Sequence, residues 1–504
     1  MSIQKAALVL GKTAMALALA GSASMAIAGD IQCNVAIVGA GAGGLHTAYQ
    51  LSKKPKSDPL SDVCVFEKEK RVGGRIYDVA LDANQPDKVF GMGALRVMET
   101  QDYVFQLADE LGIQLVQAPF ADDLIQARGE TAFNSDDINT QAYPLVTKQY
   151  ITGGGFDTET ALYDQLRFGP NRAKAMQYPD LRSYVRDTVG TQGYQFLADV
   201  FRFRGDYQEN LSAAAYLDYL DEEWDVCCTP SYPVGGMSEF PKRLAAKAAD
   251  NGARIYLDEA VSNISRHGNA PYTLVTSKNT VHARRVVIAV PKEGLEHIGG
   301  NIANAIKQQQ QFKDLTGVKV VTIAQRWPNA WWQNAGYAGR DIHRAWSTET
   351  CVNFIEIPTA PYAASQLVTR TVYTDDPNCV KFWDNTAKRG TAQVESEIQR
   401  GLAVMFPNAS IPQPLNTVVQ VWPAAWYWLG GGSQYSNADI AKWAVKPLQG
   451  ENVSLVGESY NPQRSGWSDG AYKSSLNALA SQFSQTPPAH GKPHKHEHSH
   501  GHAH

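Results

Sequence analysis

The chain has 504 residues, of which 43% are hydrophobic and 19% charged, and its formal net charge is −4. Because an ordinary domain has about 100–200 residues, we expect more than one packing unit. The composition is that of a globular protein and excludes the disordered, collagen-like and coiled-coil classes. Basic residues form no run outside the histidine-rich end, so nucleic acid is not an expected partner.

The first residues have the pattern of an export signal. Lys5 and Lys12 precede a short apolar stretch at residues 13–20, and residues 26–28 have the small-x-small pattern of a cleavage site. We expect cleavage after Ala28 and a secreted or periplasmic mature protein. The alternative, a bilayer anchor, needs about 20 continuous apolar residues, a length that Lys12 and Gly21 interrupt, so no membrane span is expected.

The remaining elements follow in chain order. Residues 34–75 predict a strand, a glycine turn, a helix, a second strand and a second glycine turn, which is the opening of a doubly wound sheet. Helical periodicity dominates residues 100–230. β-Branched and aromatic segments between 318 and 421 indicate a second sheet, and 453–481 predicts a strand, a loop and a helix.

The predicted fold class is therefore α/β, with a discontinuous Rossmann-like dinucleotide-binding domain, a mixed-sheet substrate domain and a helical insertion. The predicted boundaries are 1–28 for the signal peptide; 31–99, 231–295 and 446–486 for the three parts of the dinucleotide-binding domain; 100–230 for the helical insertion; 296–445 for the substrate-binding domain; and 487–504 for a disordered histidine-rich tail. That tail has imidazoles able to ligate metal, although a flexible appendage is its simplest interpretation.

A glycine-rich segment carries the first functional prediction. Residues 39–44 satisfy G-x-G-x-x-G after a strand and at the start of a helix. Gly39 allows the tight turn, Gly41 lets the backbone approach a pyrophosphate, and Gly44 permits close helix–strand packing. Glu67 ends the next strand, where a carboxylate can accept hydrogen bonds from ribose hydroxyls. By itself, the motif is also compatible with a glycine turn in an unrelated α/β protein.

Two further segments extend this prediction. Gly73-Gly74-Arg75 follows Glu67, and Gly457-Glu458 with residues 465–471 (Ser-Gly-Trp-Ser-Asp-Gly-Ala) lies near the end of the chain. Together with the glycine motif they resemble the flavin-containing amine oxidase family, which includes monoamine, polyamine and L-amino-acid oxidases. The resemblance implies bound FAD, with Arg75 against the pyrophosphate, Glu458 on the ribityl chain and Trp467 beside the flavin. A solvated arginine in a turn is the alternative for Arg75.

The residues expected to contact FAD are Gly39, Gly41, Gly43, Gly44, Glu67, Lys68, Gly74, Arg75, Gly93, Ala94, Leu95, Arg96, Val261, Gly457, Glu458, Gly466, Trp467, Ser468 and Ala471. Some amine oxidases have a cysteine joined covalently to the flavin after their paired glycines. Here Gly432 and Ser433 occupy that region, so non-covalent FAD is expected.

The substrate side resembles the L-amino-acid oxidase branch. Residues 93–96 (Gly-Ala-Leu-Arg) resemble its Gly-x-x-Arg segment, in which the arginine binds the substrate carboxylate with two parallel donors. This chain departs from the family in having Met98 where a proline is frequent. Tyr427, in a Tyr-x-x-Gly-Gly segment, is expected on the same carboxylate as Arg96. A surface ion pair is the alternative for Arg96.

Three other features are candidates for the substrate site. Lys319, alone in an apolar strand, resembles the lysine that contacts flavin N5 through water, but it is also compatible with an edge lysine facing solvent. A pocket walled by Trp422, Trp426, Trp428 and Trp467 is the alternative to an aromatic core. Acidic residues at 221–223 and 225 suggest recognition of a basic side chain, although a solvated helix surface is the simpler interpretation.

The predicted function is therefore oxidative deamination of L-amino acids. Hydride passes to flavin N5 and O2 is the acceptor, giving a 2-oxo acid, ammonia and hydrogen peroxide, with Lys319, Arg96, Tyr427 and Trp467 as catalytic candidates. A monoamine or polyamine oxidase, or a flavoprotein acting chiefly in metal binding or adhesion, is the alternative. No metal is expected at the active site. Six cysteines permit disulfides without fixing their pairing, and the oligomeric state is left open, a homo-oligomer included.

Overall fold

The computed structural model describes residues 29–118, 123–146, 158–200, 203–208, 210–223, 230–335, 337, 342–357 and 367–485. The predicted export signal, Cys227, Cys228, Asp225 and the histidine-rich tail lie outside these ranges. Among the helices within them, none has the length and apolar character needed to cross a bilayer.

The strands of this described part are, in chain order, β1 (Gly29–Val38), β2 (Val63–Phe66), β3 (Asp78–Ala80), β4 (Val89–Gly91), β5 (Leu115–Gln117), β6 (Asp123–Ala127), β7 (Glu130–Ala132), β8 (Ser231–Pro233), β9 (Arg254–Tyr256), β10 (Val261–Ser265), β11 (Tyr272–Thr276), β12 (Asn279–Ile288), β13 (Leu315–Arg326), β14 (Arg344–Ser347), β15 (Phe354–Glu356), β16 (Val368–Thr374), β17 (Asn416–Leu429) and β18 (Val453–Leu455).

The α-helices of the same ranges are α1 (Ala42–Ser52), α2 (Asp102–Leu111), α3 (Ser135–Ala142), α4 (Thr158–Phe168), α5 (Leu181–Val200), α6 (Gly205–Gln208), α7 (Ala213–Glu223), α8 (Glu239–Asp250), α9 (Lys292–Glu296), α10 (Asn301–Lys307), α11 (Gln310–Asp314), α12 (Pro377–Ala387), α13 (Thr391–Met405), α14 (Asn437–Val445) and α15 (Ser468–Gln482).

The first sheet holds the dinucleotide-binding motif. Its strand order is β10-β11-β12-β1-β2-β9, with β18 also beside β12. β1 is parallel to β2 and β12, and β12 is parallel to β18. All four residues of β2 are buried, as expected for an apolar run in a sheet covered on both faces. Strands from the three predicted parts of the dinucleotide-binding domain therefore form one sheet, and the α/β class with a Rossmann-like domain is confirmed.

The second sheet has the order β17-β13-β16-β15-β14-β6-β7. Its strands are antiparallel except for β14 and β6, which are parallel. The sheet therefore takes two strands from residues 100–230, which the sequence predicted to be helical. β6 has five residues and β7 three, which is too short for a clear period of two to be seen in the sequence.

Two disulfides are present in the described residues. Cys33 in β1 is bonded to Cys64 in β2, and Cys351 is bonded to Cys379 at the start of α12. The first ties together the two strands that flank the glycine turn. The second ties the loop before β15 to a helix that packs on the second sheet.

Candidate functional site

The two glycine turns of the first sheet lie against each other. The Gly39 amide donates to the Phe66 carbonyl at 2.8 Å, and the Gly73 amide donates to the Ala40 carbonyl at 2.8 Å. A Cβ on Gly44 would lie 2.1 Å from the Gly39 carbonyl oxygen, whereas a Cβ on Gly41 would meet no atom within 4 Å. Gly44 is therefore required by packing, while Gly41 borders open space next to the helix.

Glu67 lies at the carboxyl end of β2, beside this space. Its Oε2 accepts from the Ala40 amide at 2.8 Å and its Oε1 accepts from the Glu69 amide at 2.9 Å. The amide of Glu259 donates to the Glu67 carbonyl at 2.7 Å, which brings half-buried Val261 at the start of β10 close to it. Lys68 is exposed and pairs with Glu69 at 3.7 Å.

An ion pair joins the two ends of the chain. The Arg75 Nη1 donates to Glu458 Oε2 at 2.6 Å across 383 positions of sequence, and also to the Ala425 carbonyl at 2.8 Å. The other Glu458 oxygen accepts from the amides of Tyr427 at 3.1 Å and Gly466 at 3.0 Å. Burial raises the pKa of the Glu458 carboxyl, and Arg75 opposes that rise. The predicted phosphate clamp and the predicted ribityl ligand are thus direct neighbours.

Two helix N-termini converge on the same region. The N-cap of α1 is Gly41 and that of α15 is Trp467, and neither provides a side-chain hydrogen bond to its helix. A Cβ on Gly43 would lie 3.2 Å from the Ala471 carbonyl oxygen, so the first turns of the two helices are in contact. Amide groups at such ends attract negative charge. Gly466 is exposed, and Trp467 and Ser468 are half-buried.

These features fit a flavin dinucleotide. Gly41 borders open space at a helix N-terminus, Glu67 is held at the end of the neighbouring strand, and Arg75 offers a guanidinium next to Glu458. The residues that could hold FAD therefore come from the two distant chain segments, as predicted. The individual contacts proposed for each residue remain predictions.

The Gly-x-x-Arg segment follows directly from Arg75. A Cβ on Gly93 would lie 1.9 Å from the Arg75 carbonyl oxygen and 3.3 Å from the Trp422 ring. The Ala94 amide donates to the same Arg75 carbonyl at 3.3 Å, and Leu95 packs beside Tyr232. We call Gly41, Glu67, Arg75 and Glu458 the flavin cradle. The segment that follows Gly93 leads from this cradle to the second sheet, where the Arg96 side chain lies.

Arg96 ends in a buried cluster of charges. Its Nη1 donates to Glu356 Oε1, and Arg370 lies 3.4 Å from the other oxygen of Glu356. The side chains of Arg96, Glu356 and Arg370 are 16%, 5% and 7% exposed. Burial raises the pKa of Glu356, but the charges of Arg96, Arg370 and Arg344 more than offset this, and the net pKa is lowered. We call these four residues the arginine cluster; three cations surround one anion.

The sequence analysis missed three members of this cluster. Glu356 ends the buried strand Phe354–Glu356, and Arg370 stands in the middle of Val368–Thr374, where nearly every side chain is buried. A charged residue within such a run is rarely buried without a partner. That signal was present in the sequence, but only strand pairing shows that the two residues lie opposite each other.

The structure does not bring Tyr427 to Arg96. Tyr427 lies opposite Gly317 on β13, and Arg370 lies opposite Ala324. These positions are seven residues apart, roughly 23 Å at about 3.3 Å per residue. The Tyr427 side chain is 0% exposed and packs under the first sheet, with its hydroxyl lacking a hydrogen-bond partner. The expectation that both residues bind one carboxylate is therefore wrong.

Lys319 lies at a bulge in the pairing of β13 with β17. It is exposed between buried Val318 and Val320, and no hydrogen bond or ion pair joins it to another described residue. Cross-strand partners share a face of the sheet, and Val318 and Val320 pack on the helical side with Trp426 and Trp422. Lys319 thus emerges from the opposite face.

Only some of the tryptophans predicted to line the substrate pocket lie near the Gly-x-x-Arg segment. The indoles of Trp426 and Trp428 donate to Asp206 at 3.4 and 2.9 Å inside the helical core. These two tryptophans therefore belong to an aromatic core, which was the alternative prediction. Trp422 is half-buried and donates to the Met92 carbonyl at 2.9 Å, so it stays beside the Gly-x-x-Arg segment.

Asp221 and Glu222 of the predicted acidic group have structural partners. Asp221 pairs with Arg167 at 3.0 Å and Arg172 at 3.1 Å, and Glu222 pairs with Arg464 at 2.9 Å. The charges of these two residues are therefore compensated within the chain, which argues against recognition of a basic substrate by them. Among the described residues, no group of three or more histidines, cysteines or carboxylates could hold a metal ion.

Comparisons with known proteins agree with this geometry. The chain is similar to aplysianin-A of Aplysia kurodai, with 23% identity over 90% of this chain and 91% of that protein. It is 25% identical to achacin of Lissachatina fulica, over 59% of this chain and 61% of the relative. In structure it is similar to cyclohexylamine oxidase from Brevibacterium oxydans, with a TM-score of 0.66 and 19% identity over 89% of this chain and 98% of that one.

A family model described as flavin containing amine oxidoreductase matches residues 42–479. That range includes the last three residues of the glycine motif, Arg75, the arginine cluster and Glu458. It also implies a flavin cofactor and a small-molecule substrate, in agreement with the cradle described above. The chain therefore belongs to the flavin-containing amine oxidoreductase family.

Proposed function

We propose that this enzyme oxidatively deaminates L-amino acids, using O2 as the final acceptor and releasing a 2-oxo acid, ammonia and hydrogen peroxide. The observation that carries the proposal is the arginine cluster. It places three guanidinium groups around a single carboxylate, all largely buried, at the end of the segment that begins at the flavin cradle. A buried arginine that is reached directly from the flavin cradle suits a ligand that brings its own carboxylate, because a guanidinium offers two parallel donors in carboxylate geometry.

In this proposal Gly41 and the N-terminus of α1 would hold the FAD pyrophosphate, with Arg75 as its counter-charge. Glu67 would accept hydrogen bonds from the adenosine ribose, and Glu458 would face the ribityl chain. When bound, the flavin supplies a hydride acceptor for the substrate α-carbon. Trp467, at the N-cap of α15, shields that region from water, and Arg96 fixes the substrate so that its α-carbon is correctly oriented.

Lys319 is proposed to hold a water molecule close to the reacting centre. The support for this role is the position of Lys319, which leaves the face of β13 opposite to the helical core and has no partner among the described residues. Its side chain can donate a hydrogen bond to an ordered water, and its positive charge disfavours protonation of a nearby substrate amine.

We further propose that FAD is bound non-covalently and that the mature enzyme is exported after cleavage at Ala28. Ser433, in the region where some relatives carry a flavin-linked cysteine, donates to Asp314 at 2.8 Å and is buried. Acid precipitation of the purified enzyme is expected to leave all flavin in the supernatant. Flavin that stays with the pellet would contradict this.

A monoamine or polyamine oxidase is the second candidate, and one observation favours it. Glu356 already neutralises Arg96, so a substrate carboxylate has to compete with an internal one. If Glu356 keeps Arg96 during turnover, the site accepts amines that have no carboxylate.

The test is a peroxide assay on purified, FAD-loaded enzyme with the twenty L-amino acids, their D-enantiomers and common amines. We expect turnover of L-amino acids only. In Arg96→Met the KM for the best amino acid is expected to rise by about 100-fold, since a charged hydrogen-bonded pair contributes about 2–3 kcal/mol. Amines that outrun every amino acid, or an unchanged KM in Arg96→Met, would establish the second candidate instead.

A further inference from the structure

The loop that follows β12 lies against the first glycine turn. β12 is parallel to β1, so the carboxyl ends of both strands lie at the same edge of the first sheet, where ligands of such sheets bind. A Cβ on Gly39 would lie 2.7 Å from the Ala289 carbonyl oxygen and 3.0 Å from the Val290 side chain. Helix α9 begins directly after this loop, and Glu293 is its second residue. The chain thus brings a further carboxyl group to the edge of the sheet that carries the flavin cradle.

Tyr427 is a common neighbour of Glu293 and of the ion pair in the cradle. The Arg75 guanidinium carbon is 5.4 Å from the centre of the Tyr427 ring, and the Tyr427 amide donates to Glu458 at 3.1 Å. At an edge of the same ring, a Cβ on Gly317 would lie 3.2 Å from Tyr427 Cε1 and 2.7 Å from Glu293 Oε1. The Glu293 carboxyl group therefore lies beside Tyr427, close enough for the charge of Arg75 to act on it.

The two carboxyl groups near Arg75 are held differently. Glu458 accepts a hydrogen bond from Arg75 at 2.6 Å and from two backbone amides at 3.1 and 3.0 Å, and these donors stabilise its charged form. The donor to the Glu293 carboxyl group is its own amide, and its Oε2 is buried without a hydrogen-bond partner among the described residues. Glu293 is therefore the carboxyl group that accepts a proton more readily.

The charged and titratable groups around Glu293 come from several elements: Lys292 and Glu296 of α9, Arg75, Tyr427 of β17, and Glu458 and Tyr460 of the closing segment. Burial raises the pKa of the Glu293 carboxyl, and the charge of Glu296 adds to that rise; Arg75 and Lys292 oppose it without cancelling it. Lys292 donates to two backbone carbonyls at 3.0 and 2.6 Å. Burial, and then the charge of Glu293, raise the pKa of Tyr460, so this phenol stays neutral.

Bound FAD would bring a negative charge on each of its two phosphates. Arg75, the counter-charge that the cradle offers, is already paired with Glu458, so the phosphates leave an excess of negative charge. Added negative charge favours the neutral form of a nearby carboxyl group. We propose that Glu293 borders the bound dinucleotide and takes up a proton from solvent when FAD binds. This inference rests on the FAD-binding part of the proposed function.

Such a proton makes the affinity for FAD depend on pH. FAD binds most tightly where Glu293 is already protonated in the flavin-free protein, and it loses affinity as the pH rises from the flavin-free pKa towards the higher pKa of the complex. Within that window one full proton changes Kd by about tenfold for each pH unit. Glu293→Gln, which resembles the protonated group, should therefore bind FAD about tenfold more tightly than the wild type at pH 8. A merely structural role predicts weaker binding instead.

Calorimetric titration of FAD into the full-length, flavin-free protein counts the proton. The titration is repeated at pH 6, 7 and 8 in buffers of different ionisation enthalpy, because the dependence of the heat on that enthalpy gives the number of protons exchanged. The largest uptake is expected to be about 0.5–1 proton per FAD in the wild type and less than about 0.2 in Glu293→Gln. The matched control, Glu296→Gln, removes the same charge from an exposed position of α9 and should keep the wild-type uptake.

The outcomes separate this inference from the proposed function. FAD that binds without proton uptake at all three pH values, or with equal uptake in Glu293→Gln, would overturn the role of Glu293 and leave the oxidase intact. Failure of FAD to bind would overturn the cofactor site itself, and turnover of amines would change the substrate class without affecting the proton. Glu293→Ala carries the same expectation for uptake and replaces Glu293→Gln if that variant does not fold.

The holoenzyme provides a second measurement. Release of FAD from diluted holoenzyme, followed by flavin fluorescence between pH 5.5 and 8.5, should give a Kd that rises by about tenfold or more across this range in the wild type and by less than about twofold in Glu293→Gln. A flat profile in the wild type would contradict the inference even if flavin-free protein cannot be prepared.

Discussion

Substitution of Glu356 by glutamine tests the arginine cluster directly. The change keeps the shape of the side chain but leaves Arg96, Arg344 and Arg370 as three buried cations without their shared anion. Removing one partner of a buried pair destabilises a protein by about 3–5 kcal/mol. We expect the free energy of unfolding at pH 7 to fall by that amount, measured by urea denaturation with tryptophan fluorescence.

The loss of stability in Glu356→Gln is expected to depend on pH. The pKa of Glu356 is lowered in the folded protein, so its carboxylate stabilises the fold above the unfolded value of about 4.3. This contribution disappears as the pH falls through the folded pKa. The difference between wild type and Glu356→Gln should therefore be greatest near neutrality and shrink below about pH 4.

A ligand and a control complete the experiment. Propionate should occupy the space vacated in Glu356→Ala and restore stability to that variant, by about 2.7 kcal/mol at a concentration 100 times its Kd. Because Glu356→Gln removes the internal carboxylate that competes for Arg96, it should bind amino-acid substrates with a lower KM than the wild type. Asp384→Asn, which breaks an exposed pair with Lys388, should cost less than about 0.5 kcal/mol. Equal destabilisation by Glu356→Gln at pH 7 and at about pH 3, or no response of Glu356→Ala to propionate, would refute the reasoning.

Three further predictions concern other parts of the chain. Gly41→Ala should leave the melting temperature of the flavin-free protein unchanged but lower its flavin content after reconstitution, measured by absorbance. Gly44→Ala should lower both quantities, because only Gly44 abuts backbone. Equal behaviour of the two variants in absorbance and thermal melts would contradict this. Burial and nearby Lys53 lower the pKa of His46 to about 3, so stability should fall as the pH drops from about 6.5 towards 3, and His46→Gln should flatten that slope in urea titrations. Replacing both Cys351 and Cys379 by serine should lower the free energy of unfolding by about 3–4 kcal/mol, because the disulfide closes a loop between residues 28 positions apart. An unchanged urea midpoint would show that the bond is not stabilising.

The dinucleotide half of the fold could be predicted from the sequence because its signals are local. Gly39, Gly44 and Glu67 lie at fixed positions of one strand-turn-helix-strand unit, and each is required by contacts within a few residues or across one strand pair. The closing segment at residues 457–471 was predicted from its resemblance to the closing motif of the flavin-containing amine oxidase family. Such motifs report on backbone geometry, which is set by residue type and spacing.

The substrate side could not be predicted to the same extent. Arg96, Glu356 and Arg370 come together through the register of β15 and β16, and a shift of one residue would reverse the face of each side chain. Sequence spacing contains no information on that register. The consecutive acidic residues at 221–223 suggested a binding site, yet Asp221 pairs with Arg167 and Glu222 pairs with Arg464.

The positions of the charged groups in the two sheets indicate which substitutions can change substrate preference within this fold. The flavin cradle is built from the first sheet and from both ends of the chain, and its central ion pair joins Arg75 to Glu458. The arginine cluster instead lies where β15 pairs with β16 of the second sheet. A substitution at Arg370 therefore alters the charges presented to a substrate without changing a residue of the cradle. Because the two groups share no residue, loss of the Arg370 charge should change discrimination between substrates and leave flavin affinity unaltered.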